Sequence, residues 1–358
     1  RTRGILEEGK VRPGPARPPG GFRIRWQHAK IEVQGPARDP GRLMRRIVIA
    51  RPGGYDALQC VEEPEPLPGP GQVRIRVTAC GVNYADGIIR MGLYASAREL
   101  HGYPITPGFE VAGVIDAVGP ALPPTGDGSG SPAGSGWTVG DRVVALTLFG
   151  GYTSHLCLPA DYLFRVPEGL DLPRAAALPA VFLTAWFMVH EQLHPRPGQR
   201  WLVHSAAGGV GGALVQLGRL AGAEVTGVVG AAHKVEAVMA LGATAVIDKS
   251  GGNWTSAARL QCPDGYDAVF DANGVATLQA SFDLLAPMGK LFIFGFASML
   301  PRDGRLNWLR LAWDWLRTPR FNPLKMTQTN RSVMAANLSF LAAEAPLLRE
   351  GMAWLLER

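Results

Sequence analysis

The sequence predicts an α/β protein in which a doubly wound parallel sheet is joined to a second, mainly-β domain. Three observations support this prediction. A strand, a glycine-rich turn, a helix and a second strand follow one another between Arg200 and Val229. Two further apolar strands with a helical stretch between them come next, as a doubly wound sheet requires. Before this unit, residues 44–167 form short strands and turns.

A chain of 358 residues is long enough for two domains, and its apolar fraction of 47% is typical of a globular protein. No run of 18 or more apolar residues occurs, so we expect no transmembrane segment. The four cysteines have no C-x-x-C spacing, which favours a reducing, cytoplasmic location over a disulfide framework or a zinc ribbon. Ten Lys/Arg and four Asp/Glu lie in residues 1–43, so they account for the net charge of +6. The neutral remainder gives no general case for nucleic-acid binding.

Residues 1–43 are rich in Arg, Gly and Pro and show little periodicity, so we interpret them as disordered. They lack the apolar core of a secretory signal. One alternative is a basic nucleic-acid-binding arm. Another, which we favour, is a non-native extension upstream of a true start at Met44, because residues 44–49 open directly into a strand. The start at Arg1 also leads us to expect a fragment.

The elements before the central unit are read from periodicity. Residues 73–77 alternate with period two, and residues 111–118 and 142–146 are further predicted strands. Residues 122–136 are dominated by Gly, Ser and Pro and predict a flexible surface loop. Residues 172–190 predict a long apolar helical region that leads into the central unit.

The turn of the central unit predicts a dinucleotide site, since a pyrophosphate binds at the N-terminus of a helix in this position. Gly208 lets the backbone approach the pyrophosphate, and Gly211 lets the helix pack on the first strand. The first glycine of the usual G-x-G-x-x-G is replaced by Ala206. The alternative is a glycine-rich turn in an ordinary βαβ unit. The strand before the turn and the helix and strand after it favour the nucleotide.

The end of the second strand predicts the cofactor. A site for an unphosphorylated ribose has Asp or Glu there, but no acid occurs between Glu224 and Glu236. Lys234 lies just past the strand, and Lys249 follows the next one. A missing acid with nearby cations favours the 2′-phosphate of NADPH. The alternative for Lys234 is a solvated residue in the first turn of a helix.

Several segments in order resemble one protein family. They are Cys80–Asp86, Pro107–Gly113, Val139–Val143, Leu183–Ala185 and Ala206–Gly211. Together they resemble the medium-chain dehydrogenase/reductase superfamily, in its zinc-independent quinone oxidoreductase branch. Residues 322–326 and 330–333 are similar to its VAT-1-like subgroup. The resemblance implies a GroES-like substrate domain at 44–170 and a Rossmann NADPH-binding domain at 171–319. It also implies that 320–358 complete the substrate domain, which is truncated at Arg358.

The zinc enzymes of this superfamily hold catalytic zinc with a Cys and a His from these motifs. The matching positions here are Asn83 and Phe109, and neither is a workable zinc ligand. Glu110 alone cannot make a site, and the four-cysteine structural zinc lobe is absent from the sequence. We therefore expect no metal. His204, next to the turn, is interpreted as a packed strand residue.

Without a Lewis acid, a substrate carbonyl must be polarised by hydrogen bonds. The resemblance places Asn83 near the nicotinamide and Tyr94 in the pocket wall, as the catalytic candidates. Their structural alternatives are a turn-former and a core aromatic. Asp86 and Arg90 lie four apart and predict an intrahelical ion pair. The cofactor-binding candidates are Asn83, Thr184, Ala207, Gly208, Gly209, Val210, Gly230, Lys234, Asn273, Phe294, Gly295 and Phe296.

Residues 305–317 form an apolar, Trp-rich helix with one narrow polar stripe. We expect it to be buried against its own domain or a dimer partner. A cleft lid or a membrane-surface contact is the alternative.

The sequence thus predicts an NADPH-dependent, metal-free reductase of quinones or α,β-unsaturated carbonyls, expected as a homodimer. One alternative is a VAT-1-like cofactor-binding protein with little turnover, acting in membrane-linked or partner interaction. Another is an enoyl-reductase-like unit of a larger biosynthetic enzyme.

Overall fold

The computed structural model describes residues 38–120, 136–299, 307–341 and 344–358. The strands are β1 Arg38–Ile49, β2 Leu58–Pro66, β3 Gln72–Cys80, β4 Glu110–Val118, β5 Arg142–Leu146, β6 His155–Pro159, β7 Leu163–Arg165, β8 Arg200–His204, β9 Glu224–Val229, β10 Ala245–Asp248, β11 Tyr266–Asp271, β12 Leu285–Ile293 and β13 Ser332–Ala335. The α-helices are α1 Tyr84–Arg90, α2 Leu172–Ala176, α3 Pro179–Trp186, α4 Gly209–Leu220, α5 Val235–Ala240, α6 Trp254–Gln261, α7 Leu278–Asp283, α8 Trp308–Arg317, α9 Pro323–Thr329 and α10 Ala345–Leu356.

The second half of the chain forms a six-stranded parallel sheet in the order β10-β9-β8-β11-β12-β13. The order reverses between β8 and β11, so the carboxyl ends of these two strands flank the crevice where ligands bind in such sheets. This confirms the predicted doubly wound fold.

Successive residues of β8 pack into two hydrophobic cores, one on each face of this sheet. Trp201 and Val203 pack with α3 and α4 on one face, while Leu202 packs with Ala258 of α6 and Leu278 of α7 on the other. Because successive strand side chains point to opposite faces, a continuous apolar run is what a strand covered on both sides requires. The crossover helices therefore fix the turn after β8 at one edge of the sheet.

The first half forms a five-stranded antiparallel sheet in the order β6-β3-β4-β5-β7, and β1 pairs with β2 in a separate ribbon. Val73, Ile75, Val111, Ile115 and Val143 form its core. The predicted mainly-β domain is confirmed, with strands at the expected positions on β3, β4 and β5.

The predicted helical region 172–190 is two helices rather than one. A proline ring clashes with the preceding turn of a helix, so Pro179 lies at the first position of α3 instead of inside one longer helix. A π-helical turn at residues 187–193 then extends the segment.

The expected domain limits stay predictions. Strand β1 begins at Arg38, upstream of Met44. Residues 332–335 extend the parallel sheet as β13, whereas Met352 of α10 packs with Ala112 and Val144 of the antiparallel sheet. Residues 1–37, and all but the last residue of the loop predicted at 122–136, lie outside the described residues.

The Trp-rich helix α8 is wrongly predicted to be buried against its own domain. None of its residues is buried, and most of its large apolar side chains are more than half exposed. None of the helices in the described ranges is long and apolar enough to cross a lipid bilayer.

Candidate cofactor and active site

The turn after β8 presents an open backbone at the reversal of strand order. Ser205 adopts a left-handed conformation with φ of 55°, and its hydroxyl donates to Asn273 Oδ1 at 3.1 Å. Ala207, Gly208 and Gly209 are exposed, although the strand before them is buried. Helix α4 begins at Gly209, so the first amides of a twelve-residue helix face this opening. The arrangement suits an anion such as a pyrophosphate.

Two glycines of the turn have different steric roles. A Cβ on Gly211 would overlap the Ser205 carbonyl oxygen, so this glycine is required for the close contact between helix and strand, as predicted. A Cβ on Gly208 would lie 3.1 Å from the same oxygen, and Gly208 has an ordinary φ of −87°. The backbone of Gly208 therefore does not need glycine for its conformation.

Ala206 replaces the first glycine of the motif without disturbing the turn. Its side chain is fully buried. A Cβ on Gly227 of the neighbouring β9 would lie 2.9 Å from the Ala206 Cβ and 2.8 Å from Val238 Cγ1. Gly227, a glycine inside β9, thus leaves the space that the Ala206 side chain occupies.

Two lysines follow the strands beside this turn. Gly230, directly after β9, lies next to Lys249, whose Cε would be 3.7 Å from a Cβ on Gly230. Lys234 and Lys249 are both exposed. Asp248, the nearby acid, accepts hydrogen bonds from the Ser250 amide and hydroxyl, and these hold the pKa of Asp248 below its usual value. This edge therefore presents two exposed ammonium groups, with the Asp248 carboxylate beside Lys249.

The loop after β11 is held by a buried carboxylate. Asp271 is fully buried and accepts from the amides of Asn273 and Gly274 and from the hydroxyls of Thr277 and Ser281. These bonds hold Asn273 beside Ser205. Within the described residues, the Asn273 Nδ2 is buried without a hydrogen-bond acceptor. An unpartnered buried donor beside the turn fits a bound polar ligand.

The residues after β12 lie against this loop. A Cβ on Gly295 would lie 2.8 Å from the Ala272 carbonyl oxygen, and a Cβ on Gly274 would lie 2.7 Å from Phe296 Cδ1. Phe294 is half-buried and Phe296 is exposed. The three predicted residues 294–296 are therefore brought to the same edge as Asn273.

His204 is a packed strand residue, as predicted. It is fully buried, its Nε2 lies 3.0 Å from Ser281 Oγ, and burial lowers the pKa of its imidazole.

On the substrate-domain side, Asn83 is paired with a buried carboxylate. The Asn83 Nδ2 donates to Glu110 Oε1 at 2.8 Å, and Glu110 Oε2 accepts from the Ala180 amide of α3 at 2.7 Å. A Cβ on Gly81 would overlap the Glu110 carboxylate, so that glycine makes room for it. Burial raises the pKa of Glu110 to about 7, against the two hydrogen bonds that lower it. Each oxygen of Glu110 thus accepts one hydrogen bond from an N–H donor.

Asp86 holds the segment that carries Asn83. Its carboxylate accepts from the amides of Asn83 and Gly108 and from the Tyr152 hydroxyl, each within 2.9 Å, and burial raises its pKa. Arg90 instead donates to the Gly53 carbonyl oxygen and lies over the Tyr55 ring. The predicted Asp86–Arg90 ion pair is therefore wrong, because each partner is used elsewhere.

Tyr94 lies in an aromatic cluster. Its ring meets Phe109 edge-on at 5.9 Å, and its hydroxyl lies 2.8 Å from Ser339 Oγ and donates to Asn337 Oδ1 at 3.3 Å. Burial raises the pKa of the Tyr94 hydroxyl. The Tyr94 hydroxyl is therefore already hydrogen-bonded, and its predicted place in the pocket wall stays a prediction. Phe109 is nearly buried, packed also on Phe149.

Helix α3 connects the two halves of the site. The Ala180 amide donates to Glu110. The next residue, Val181, lies against the start of α4, because a Cβ on Gly209 would be 2.7 Å from Val181 Cγ1. Contacts therefore run without a break from Asn83 through Glu110 and α3 to the turn that precedes α4. Thr184, one turn along α3, donates its hydroxyl to the Ala180 carbonyl oxygen at 2.7 Å. Its predicted cofactor contact stays a prediction.

Sequence reasoning missed Ser205, Gly81, Glu110 as the partner of Asn83, and Gly227. Gly227 alone gave a signal, since a glycine inside a strand often marks a close approach. The others depend on contacts between distant segments.

A separate cluster of Glu65, Asp116 and His155 is the one group with the geometry of a metal site among the described ranges. Arg74 forms ion pairs with both carboxylates, at 3.1 and 2.8 Å. The cluster lies on β2, β4 and β6, apart from Asn83 and the glycine turn.

Comparison with known proteins agrees with this architecture. Residues 69–168 match the alcohol dehydrogenase GroES-like domain, and residues 209–318 match the zinc-binding dehydrogenase family. The chain is 35% identical over 316 residues to the synaptic vesicle membrane protein VAT-1 homolog of Homo sapiens, covering 88% of this chain and 76% of that protein. It is 36% identical over 260 residues to the 2-haloacrylate reductase of a Burkholderia species, covering 72% and 74% of the two chains.

A solved structure shows the same fold. The Escherichia coli quinone oxidoreductase complexed with NADPH superposes with a TM-score of 0.71 at 26% identity, covering 87% of each chain. Taken with the ordered motifs and the two-domain architecture, these similarities show that the chain belongs to the medium-chain dehydrogenase/reductase superfamily, in the quinone oxidoreductase branch that includes the VAT-1-like proteins.

Proposed function

We propose that this oxidoreductase uses NADPH, without a metal, to reduce quinones or α,β-unsaturated carbonyl compounds. The observation that carries the proposal is the unbroken line of contacts from Asn83 through Glu110 and α3 to the glycine turn. These contacts would connect a pyrophosphate site at the turn with an amide suited to a carbonyl at Asn83. The names of two relatives, a 2-haloacrylate reductase and a quinone oxidoreductase complexed with NADPH, support the substrate class and the cofactor.

The cofactor fits the residues at the sheet edge. The amides at the start of α4, from Gly208 to Val210, and the exposed backbone of Ala207 would hold the pyrophosphate. The orphaned Nδ2 of Asn273 would donate to the bound cofactor. Thr184 and the backbone at 294–296 would line the nicotinamide end. When bound, NADPH supplies the hydride.

The two lysines would select the phosphorylated cofactor. Gly230 leaves room beside Lys249, and Lys234 is exposed at the same edge, so both ammonium groups can reach a 2′-phosphate. No acid occurs in the sequence between Glu224 and Glu236, so the end of β9 offers no carboxylate of the kind that binds a 2′-hydroxyl.

Asn83 would act on the substrate carbonyl. Glu110 takes one of its amide hydrogens, which fixes the amide and leaves its second N–H available to a substrate oxygen. Such a preorganised donor stabilises the negative charge that develops on the oxygen during reduction. The proton that completes the reaction would come from water or a nearby hydroxyl. Tyr94 would shape the pocket through its ring.

Turnover of NADPH with a panel of quinones and enones tests this proposal. Asn83→Ala should lower kcat/KM by about 10²–10³, the effect of removing one preorganised donor. Elemental analysis of the dialysed protein should find no stoichiometric zinc, and chelators should leave the rate unchanged. Turnover that survives Asn83→Ala, or is lost with a chelator, would refute the mechanism.

The second candidate is a VAT-1-like cofactor-binding protein with little turnover. The exposed apolar face of α8 favours it, since a surface of that kind serves binding rather than chemistry. Tight NADPH binding with no turnover on the whole panel would select this candidate. For either function we propose a cytoplasmic location and a homodimer. Sedimentation of the purified chain tests the homodimer.

A further inference from the structure

Three strands in the first half of the chain bring metal-binding side chains together. Glu65 lies near the end of β2, Asp116 lies on β4, and His155 begins β6. One ligand atom from each residue lies within 4.8 Å of the other two. Their side chains are 8%, 20% and 13% exposed, so the cluster is largely shielded from water.

The Glu65 carboxylate has no hydrogen bond among the described residues. Its Oε2 is buried without a hydrogen-bond donor, although Arg74 Nη1 lies 3.1 Å away, and its Oε1 faces His155 Nε2 at 3.5 Å. Arg74 instead donates to Asp116 Oδ1 at 2.8 Å and to the Pro66 carbonyl oxygen at 3.2 Å. Burial of a carboxylate without hydrogen bonds is costly. A cation bound to Glu65 would remove that cost.

The charges of the cluster do not balance. The two carboxylates carry two negative charges and Arg74 supplies one positive charge, so one negative charge remains while His155 is neutral. Arg74 meets Glu65 Oε2 and Asp116 Oδ1. The other oxygen of each carboxylate, Glu65 Oε1 and Asp116 Oδ2, faces His155 Nε2. These two oxygens and Nε2 therefore surround a position that favours a second cation.

The separations around this position fit a metal ion better than a hydrogen bond. His155 Nε2 is 3.5 Å from Glu65 Oε1 and 3.6 Å from Asp116 Oδ2, and both distances are too long for an N–H···O bond. Ligand atoms at about 2.1 Å from a tetrahedral Zn²⁺ ion are about 3.4 Å apart, close to both values. The other ring nitrogen, Nδ1, lies 3.2 Å from Ser154 Oγ. This contact orients the imidazole in the way that outer-shell partners orient a metal-binding histidine.

We propose that Glu65 Oε1, Asp116 Oδ2 and His155 Nε2 bind a Zn²⁺ ion, with water as the fourth ligand. An imidazole ligand favours Zn²⁺ over Mg²⁺ and Ca²⁺, which prefer oxygen ligands. Because the protein supplies three ligands and the charge of Arg74 lies nearby, the ion is exchangeable and dialysis removes it.

The role of this site is structural. The ion joins β2, a strand of the two-stranded ribbon, to β4 and β6 of the five-stranded sheet. It takes no part in hydride transfer, because the cluster lies apart from Asn83 and the glycine turn.

Titration of the dialysed full chain with Zn²⁺, in competition with a chromophoric chelator, tests the site without NADPH or substrate. The test is therefore independent of the proposed function. The wild type should bind one Zn²⁺ per chain, and the bound ion should raise the Tm, since it binds the folded chain. Mg²⁺ at the same concentration should have neither effect.

Glu65→Gln, Asp116→Asn and His155→Gln each remove one ligand with little change in volume. Each should weaken Zn²⁺ binding by about tenfold or more, a loss that even an outer-shell substitution can produce. His101→Gln is the matched control, because His101 is exposed and lies outside the cluster. It should bind Zn²⁺ like the wild type.

Circular dichroism identifies the folded variants, and any one ligand variant that folds is sufficient for the comparison. A wild-type Kd above about 1 mM would overturn the proposal and leave a protonated His155 as the source of the missing charge. Unchanged Zn²⁺ affinity in the folded ligand variants would also overturn it, because the ion would then be bound elsewhere.

Discussion

Glu110 is the residue to which both halves of the site are attached. Its two oxygens accept from Asn83 in the substrate domain and from Ala180 at the start of α3. A protonated carboxyl carries a hydrogen on one oxygen, and that oxygen becomes a donor and a much weaker acceptor for the N–H group it faces. Protonation of Glu110 would therefore favour a reversed Asn83 amide, in which Oδ1 accepts from the carboxyl and the N–H groups point elsewhere.

The first prediction is a pH dependence that belongs to Glu110. Burial raises its pKa to about 7, so it is ionised above that pH and protonated below it. Activity should rise with pH through about 7 as the carboxylate takes the Asn83 N–H. Glu110→Gln mimics the protonated form, since its amide offers one acceptor and one donor. The rate of Glu110→Gln should be low and flat across this range, measured as kcat/KM against pH. A wild-type profile in this variant would contradict the assignment.

The second prediction separates ligand binding from folding at the glycine turn. Gly208 has an ordinary φ, and its added Cβ would meet one carbonyl oxygen at 3.1 Å, which requires a shift of a few tenths of an ångström. Gly208→Val should therefore keep the fold and lose NADPH binding, because the side chain occupies the path of the pyrophosphate.

Gly211→Ala is the matched contrast, since its Cβ would overlap the Ser205 carbonyl oxygen and should lower the Tm sharply. Thermal melting and NADPH titration of both variants give the comparison. Unchanged affinity in well-folded Gly208→Val would mean that this turn does not hold the pyrophosphate.

At the scale of elements, sequence reasoning worked where a pattern is local. The order β8, turn, α4, β9 is confirmed, because periodicity, turn residues and a left-handed Gly222 after α4 all lie within thirty residues. Strand β13 has four residues and no flanking pattern, and only its pairing with β12 identifies it. Helix α8 was predicted as a helix, but amphipathicity alone does not say which side faces the protein.

The third prediction concerns the elements after β9 and β10. Lys234 and Lys249 lie at the ends of different strands at the same sheet edge, so each should contribute separately to a 2′-phosphate. Lys234→Ala and Lys249→Ala should each weaken NADPH binding by about tenfold, on the order of 1.4 kcal/mol. NADH binding should not change, so the double variant loses the discrimination.

Titration of both cofactors at two salt concentrations measures this, with Lys325→Ala on α9 as a control of equal charge. Equal affinity of the wild type for NADPH and NADH would remove the basis of the cofactor assignment.

At the scale of the whole molecule, the candidate site is made by contacts between segments far apart in sequence. Asn83 meets Glu110 27 residues on, and Glu110 meets Ala180 70 residues on. Motifs located the glycine turn and the two lysines from sequence, but nothing local pairs a particular carboxylate with a particular amide. The fold determines those pairings, and for that reason Ser205 and the role of Glu110 emerged only from the structure.

The last prediction is that NADPH binding stabilises both domains together. NADPH at about 100 times its Kd should stabilise the native state by roughly 2.7 kcal/mol. Because Glu110 and Val181 link the substrate domain, α3 and the glycine turn, hydrogen exchange should slow in β4 and α1 as well as in α4. Glu110→Ala removes the link at Ala180, so NADPH should then protect α4 and leave β4 and α1 as they are without it. Protection confined to the cofactor domain in the wild type would show that the two domains respond independently, and the line of contacts from Asn83 to the turn would carry no coupling.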